Sequence, residues 1–154
     1  MTEDPLIAVA RNALLIEASA IETTARELGP DFRAAVDLLA TASGRVIVTG
    51  LGKSGHIGHK MAATFASTGT PSAYVHATEA LHGDAGMVQK GDVVIAISNS
   101  GSTVEVVEFA THLQVRDIPI VAMTAGGAAS PLGEVASVVL DTAVEREAAP
   151  LDLA

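Results

Sequence analysis

A chain of 154 residues, 49% of them hydrophobic and 18% charged, is long enough to bury a core and too apolar to remain disordered. Its net charge of -9 argues against a nucleic-acid or anionic-membrane surface, and the lack of cysteine excludes disulfides, thiol nucleophiles and thiolate-bound metal. No apolar run approaches a membrane span, and the acidic start Met1-Thr2-Glu3-Asp4-Pro5 is unlike a secretory leader, so a cytoplasmic protein is expected.

Residues 1–42 read as two helices. Asp4 can cap the first and Pro5 suits its first turn. Ile7, Leu14, Ile21 and Leu28 recur at seven-residue spacing, an apolar stripe that serves either to cover its own domain or to pair subunits. Gly29-Pro30 breaks the run, and Asp31 can open a second helix through Leu39. From Arg45 the pattern alternates between strand and helix. Strands are expected at 45–49, 72–76, 92–98, 118–124 and 137–141, and helices at 55–68, 103–115 and 129–135, with a shorter one around 79–85. The strands are β-branched and almost continuously apolar, as strands covered on both faces must be. With aromatic residues at only 3%, Val, Ile, Leu and Ala have to build that core. The alternation predicts an α/β sandwich around a parallel sheet with right-handed crossovers. One domain is expected over 1–154, divided into N-terminal helices (1–42) and an α/β core (45–154).

Two turns stand out. Gly50-Leu51-Gly52-Lys53-Ser54-Gly55 follows the first strand, and Ser98-Asn99-Ser100-Gly101-Ser102-Thr103 follows the third. Each ends a buried strand and opens a helix, an arrangement that aims backbone N–H groups and a helix N-terminus at one spot and stabilises an anion there. The first turn matches the dinucleotide fingerprint of Gly at positions one, three and six. The acid expected after the second strand is missing, however, and Ile47 stands where a P-loop needs glycine. The second turn carries four hydroxyls around Gly101, where one would suffice to cap a helix. A phosphorylated small molecule at the carboxyl edge of the strands accounts for both turns.

The remaining candidates read two ways. Glu105, in the first turn of its helix, either favours the helix dipole or performs acid–base chemistry beside the phosphate. His82-Gly83-Asp84, with Glu79 one helical turn earlier, could shuttle protons, bind a metal or be a plain polar turn. His56 follows the first turn closely, His59 is expected to face solvent, and His76 and His112 have no local support. Glu145-Arg146-Glu147 lies beyond the last strand and is either a solvated cluster or part of a ligand crevice.

Four motifs in order resemble the sugar-isomerase (SIS) domain of the D-arabinose 5-phosphate isomerase family. They are Gly52-Lys53-Ser54-Gly55-His56-Ile57-Gly58, His82-Gly83-Asp84-Ala85-Gly86-Met87-Val88, Ile97-Ser98-Asn99-Ser100-Gly101 and Arg146-Glu147-Ala148-Ala149-Pro150-Leu151. The resemblance runs from about Arg45 to Ala154, and the N-terminal helices fit as well. It implies a three-layer sandwich with a five-stranded parallel sheet of flavodoxin-like order. It implies a homotetramer, or at least a homodimer, with active sites completed across subunits. The implied reaction interconverts D-ribulose 5-phosphate and D-arabinose 5-phosphate, feeding the Kdo sugar of lipopolysaccharide. By the same analogy Ser54, Ser98, Asn99, Ser100 and Thr103 hold the phosphate, Lys53, Glu105 and Glu147 match charged residues tied to catalysis, and His82 matches a histidine near the site. Family members continue beyond Ala154 into a Ser/Thr-rich loop and a helix carrying another histidine, and often into CBS modules, so the chain is expected to be a truncated isomerase domain that binds ligand, with turnover open.

The implied chemistry is consistent with these groups. Aldose–ketose isomerisation moves a proton between adjacent carbons through an enediolate, which takes a base, a group for the oxygens and a fixed phosphate. It requires no redox cofactor and demands no metal. The expected partner is a sugar phosphate, with neither nucleic acid nor membrane involved. Two rival readings stay in play: a sugar-phosphate-binding SIS module without turnover, and a Rossmann-type nucleotide binder.

Overall fold

The computed structural model describes residues 4–149, which fall into two compact units: 4–29 with 144–149, and Pro30–Ala143. In the first unit, helix α1 (Pro5–Glu27) begins where expected, with the Asp4 carboxylate accepting the Leu6 N–H at 2.8 Å and Pro5 in the first turn. Its apolar stripe is not covered: Ile7, Leu14, Ile21 and Leu28 are all more than half exposed, and no α1 residue is buried.

The second unit starts with α2 (Pro30–Ala40), which opens on Pro30 itself, with Asp31 inside its first turn. Then follow β1 (Val46–Gly50), α3 (Gly52–Ser67), β2 (Ser72–Tyr74), α4 (Ala77–Leu81), a 3-10 turn (Asp84–Met87), β3 (Val93–Ile97), α5 (Val104–Gln114), β4 (Ile120–Thr124), α6 (Pro131–Val135) and β5 (Val138–Asp141). All five strands are parallel, in the order β2-β1-β3-β4-β5. This is the five-stranded flavodoxin-like order that the resemblance implies.

Period-two alternation explains why the strands read as continuous apolar runs. Ile47, Val94, Ala96, Ile120 and Ala122 face one layer, where they pack with Ala77 and Ala80 of α4, Phe109 and Leu113 of α5, and Leu132 of α6. Val46, Val48, Val93, Ile95 and Val121 face the other, with Ala35 of α2 and Ala62 and Phe65 of α3. Both faces are therefore buried. The β1-to-β2 crossover runs through α3 on one face and the β3-to-β4 crossover through α5 on the other. Because crossovers keep one hand, the reversal of direction between β1 and β3 places their helices on opposite faces and opens a crevice between the strand ends.

Several boundaries differ from expectation, each for a local reason. Helix α3 starts three residues early, at Gly52, which turns off the strand at φ +55 and brings Lys53 and Ser54 into the first helical turn. Strand β2 stops at Tyr74 because the chain bends through His76 into α4. The single helix expected around 79–85 is two short pieces broken at His82-Gly83, where Gly83 takes φ +134. Strand β4 begins only at Ile120, since the Ile118 N–H still closes the end of α5 on the Leu113 carbonyl at 3.1 Å.

One buried charge ties the entry of two central strands together. Asp92, 3% exposed, accepts the Arg45 N–H at 2.7 Å and the Gln89 N–H at 2.9 Å and pairs with the Arg45 guanidinium at 3.4 Å. Asp92→Asn keeps the shape and loses one acceptor. It is expected to cost about 1–2 kcal/mol in urea unfolding, and an unchanged midpoint would show that the carboxylate contributes nothing beyond its volume.

Candidate functional site at the carboxyl edge of the sheet

Register places the two turns side by side. Gly50, the last residue of β1, is paired with Ile97, the last of β3. The Gly50–Ser54 and Ser98–Thr103 segments therefore leave the same edge of adjacent strands, at the switch point. They do not lie on opposite rims, the arrangement that would have separated them.

The first turn is shaped by close approach. A Cβ on Gly50 would lie 3.1 Å from the Ile97 carbonyl oxygen and 3.2 Å from the Ser54 carbonyl carbon, so glycine lets the first turn of α3 fold back closely on the strand end, where a larger residue would force the backbone to give by a few tenths of an ångström. Leu51 precedes the helix without a side-chain cap, and the first helical bond runs from the Gly55 N–H to the Leu51 carbonyl at 3.2 Å. The N–H groups of Gly52, Lys53 and Ser54 are thus the donors that a helix start leaves for a ligand. The exposed Lys53 ammonium stands in the same turn, and Ser54 is half-buried.

The second turn is braced from below. Ser98, 2% exposed, shares a hydrogen bond with the Thr103 hydroxyl at 2.9 Å, so these two oxygens close the loop on itself. Ser100 and Asn99 are exposed, and the Ser100 hydroxyl accepts the Ser102 hydroxyl at 3.0 Å. The Asn99 carbonyl accepts the Ala125 N–H at 2.9 Å and the Thr124 hydroxyl at 3.2 Å, and the Gly101 carbonyl accepts the Leu132 N–H at 2.9 Å. These bonds fix the turn to the β4–α6 connection. Thr103 occupies the N-cap of α5 without capping through its side chain, whereas Ser130 caps α6 by accepting the Gly133 N–H at 3.1 Å. Glu105 is half-buried in the first turn of α5.

The other candidates are placed less closely. His82 is exposed at the end of α4, a helix that packs on α5, and the segment after it is held by arginines. Arg116 donates to the Ala85 carbonyl at 3.1 Å and to that of Val88 at 2.6 Å, and Arg45 donates to that of Met87 at 2.5 Å. Glu147 is half-buried within the unit formed by 4–29 and 144–149. His59 is exposed but not merely solvated, because its ring stacks on Tyr74 with centroids 3.7 Å apart.

Tyr74 is the residue that sequence reasoning passed over. Its hydroxyl donates to the Gly50 carbonyl at 2.5 Å, at the root of the first turn. Burial raises its phenol above the ordinary value of 10.0, so it stays a donor at neutral pH. The available signal was weak: the chain's one tyrosine, and two glycines, Gly55 and Gly58, spaced three apart on the helix that it crosses.

Comparison with known proteins points the same way. A family model described as SIS domain matches residues 38–153. An arabinose 5-phosphate isomerase of Pseudomonas aeruginosa, KdsD, is 49% identical over 145 residues, covering 94% of this chain and 44% of that protein. Another, GutQ of Escherichia coli K12, is 46% identical over 151 residues, covering 98% and 47%. The chain thus spans about half the length of these curated relatives. A solved Escherichia coli CFT073 protein in complex with A5P superposes with a TM-score of 0.92 at 40% identity, covering all of this chain and 81% of that one.

Proposed function

The chain belongs to the SIS domain family, and on that premise we propose that it carries the isomerase domain of an arabinose 5-phosphate isomerase, interconverting D-ribulose 5-phosphate and D-arabinose 5-phosphate. The observation that carries the reading is the in-register pairing of Gly50 with Ile97, which sets a lysine-bearing helix start beside a hydroxyl-rich one at a single edge. The names of the relatives and the A5P complex of the solved neighbour supply the substrate class.

In this reading the phosphate is held by Ser54, by Asn99 and Ser100, and by the N–H groups opening α3 and α5. Ser98 and Thr103, which share a hydrogen bond that braces the turn, complete the set with the hydrogen-bonding capacity that this one bond leaves them. A carboxylate, Glu105 or Glu147, removes a proton from the carbon beside the carbonyl and returns it to the neighbouring carbon. The electron pair left behind forms an enediolate, whose oxygen charge the Lys53 ammonium stabilises. His82 assists at the sugar oxygens. No redox partner enters, because the oxidation of one carbon balances the reduction of the next. The whole stretch is read as one SIS domain acting in a cytoplasmic route to the Kdo sugar of lipopolysaccharide. Self-association into a tetramer, or at least a dimer, is supported by α1 and the Leu28 that follows it, where Leu6, Ile7, Val9, Leu14, Leu15, Ile21 and Leu28 each stand 53–80% exposed.

The test is conversion of D-ribulose 5-phosphate by the purified chain, followed as aldose formation. Catalysed conversion is the expected result. Saturable binding without conversion would favour the binding-module reading, and no binding of either pentose phosphate would remove both.

A further inference from the structure

We propose that Tyr74 is a positioning residue for the anion-binding turn, setting the Gly50 peptide through its hydroxyl. The inference rests on the reading that this turn holds the phosphate.

The need for such a residue follows from the sheet. Along the β1–β2 ladder the Val75 N–H bonds the Val48 carbonyl at 2.9 Å. The next carbonyl of β1 on that side, two residues on, is that of Gly50, and a parallel ladder would supply it with the N–H of Ala77. By then the chain has left the sheet, since α4 begins at Ala77. Tyr74, the last residue of β2, supplies the donor from its side chain instead. The peptide so held is the one from which the chain turns through Leu51 into the first turn of α3, where Lys53 and Ser54 sit.

The phenol has a built slot. A Cβ on Gly55 would come within 2.8 Å of the Tyr74 hydroxyl, and one on Gly58 within 3.0 Å of its ring. The glycines therefore let the ring lie flat across α3, where His59 stacks on it. The missing ladder donor and the Gly55 gap thus meet at the hydroxyl, while Gly58 and His59 hold the ring.

The chain offers its own probe. Tyr74 is its only tyrosine and it has no tryptophan, so its tyrosine emission reports this one group. Titrating the wild-type chain with D-arabinose 5-phosphate is expected to change that emission saturably, with the same midpoint that calorimetry gives. Binding seen by calorimetry with no change in emission would count against the proposal. The Tyr74→Phe variant keeps the ring and removes one hydrogen bond. It is expected to bind about three- to tenfold more weakly, with a melting temperature within a few degrees of wild type. Gly58→Ala, which pushes the ring away, should weaken binding similarly. If the wild type binds and Tyr74→Phe binds equally well, this inference fails while the phosphate reading stands. If the wild type binds no pentose phosphate, the functional reading falls and takes the inference with it. Should Tyr74→Phe lose its fold, the emission titration of the wild type decides alone.

Discussion

Lys53→Met is expected to lower kcat for pentose-phosphate isomerisation by about 10²–10³, the usual effect of removing one group that stabilises a developing oxyanion. Its melting temperature should barely move. Lys53 is exposed in the second position of α3, so its side chain contributes little to packing, and methionine keeps its length and helical preference. What disappears is a point charge beside N–H donors that remain, because these belong to the backbone. Binding of the phosphate end should therefore weaken far less than turnover. Lys53→Arg should recover part of the rate, since it restores charge but spreads it over a planar fork. Steady-state isomerisation of D-ribulose 5-phosphate, with calorimetry of D-arabinose 5-phosphate, measures both quantities. An unaltered kcat would take Lys53 out of the chemistry and leave it as a surface charge.

Gly101→Val should produce a large loss of stability, about 2–5 kcal/mol. Two costs combine. Gly101 holds φ +67, a conformation that disfavours any residue bearing a Cβ by roughly 1–2 kcal/mol and a β-branched one most. The added Cβ would also lie 2.8 Å from the Thr124 hydroxyl and against Ser130, both buried, and such overpacking typically costs about 1–3 kcal/mol. The damage spreads because the Gly101 carbonyl anchors Leu132 while Thr124 bonds Asn99 and Gly126. Denaturant unfolding measures the combined loss. A loss below about 1 kcal/mol would mean that the turn is not held as tightly as its contacts imply.

Much of this site was legible in the amino-acid order. Uninterrupted runs such as Val93-Val94-Ile95-Ala96-Ile97 admit few roles other than strands covered on both faces. A glycine turn between such a run and a helical pattern marks which end of the strand opens into a helix start, the end at which the proposed ligand would be met. Lys53, Ser54 and the 98–103 segment could be singled out because their chemistry is local: neighbours in sequence form one helix start. Glu147 and His82 are different. Their roles depend on what lies across from them, and no periodicity encodes that. Tyr74 escaped notice for the same reason, since its partner, Gly50, is 24 residues away and is a carbonyl oxygen, a group that every residue carries.

The sequence alone determined the α/β class, the approximate places of the five strands and the two glycine- and hydroxyl-bearing turns that follow β1 and β3, because these follow from local periodicity and turn chemistry. Only the tertiary structure decided that Gly50 and Ile97 share one edge, that Ser98 and Thr103 share a hydrogen bond, and that a tyrosine supplies the donor where the sheet ends. Strand order and side-chain pairing are long-range choices. They are made by which buried surfaces and polar groups can be satisfied together, and that is settled only when the chain packs.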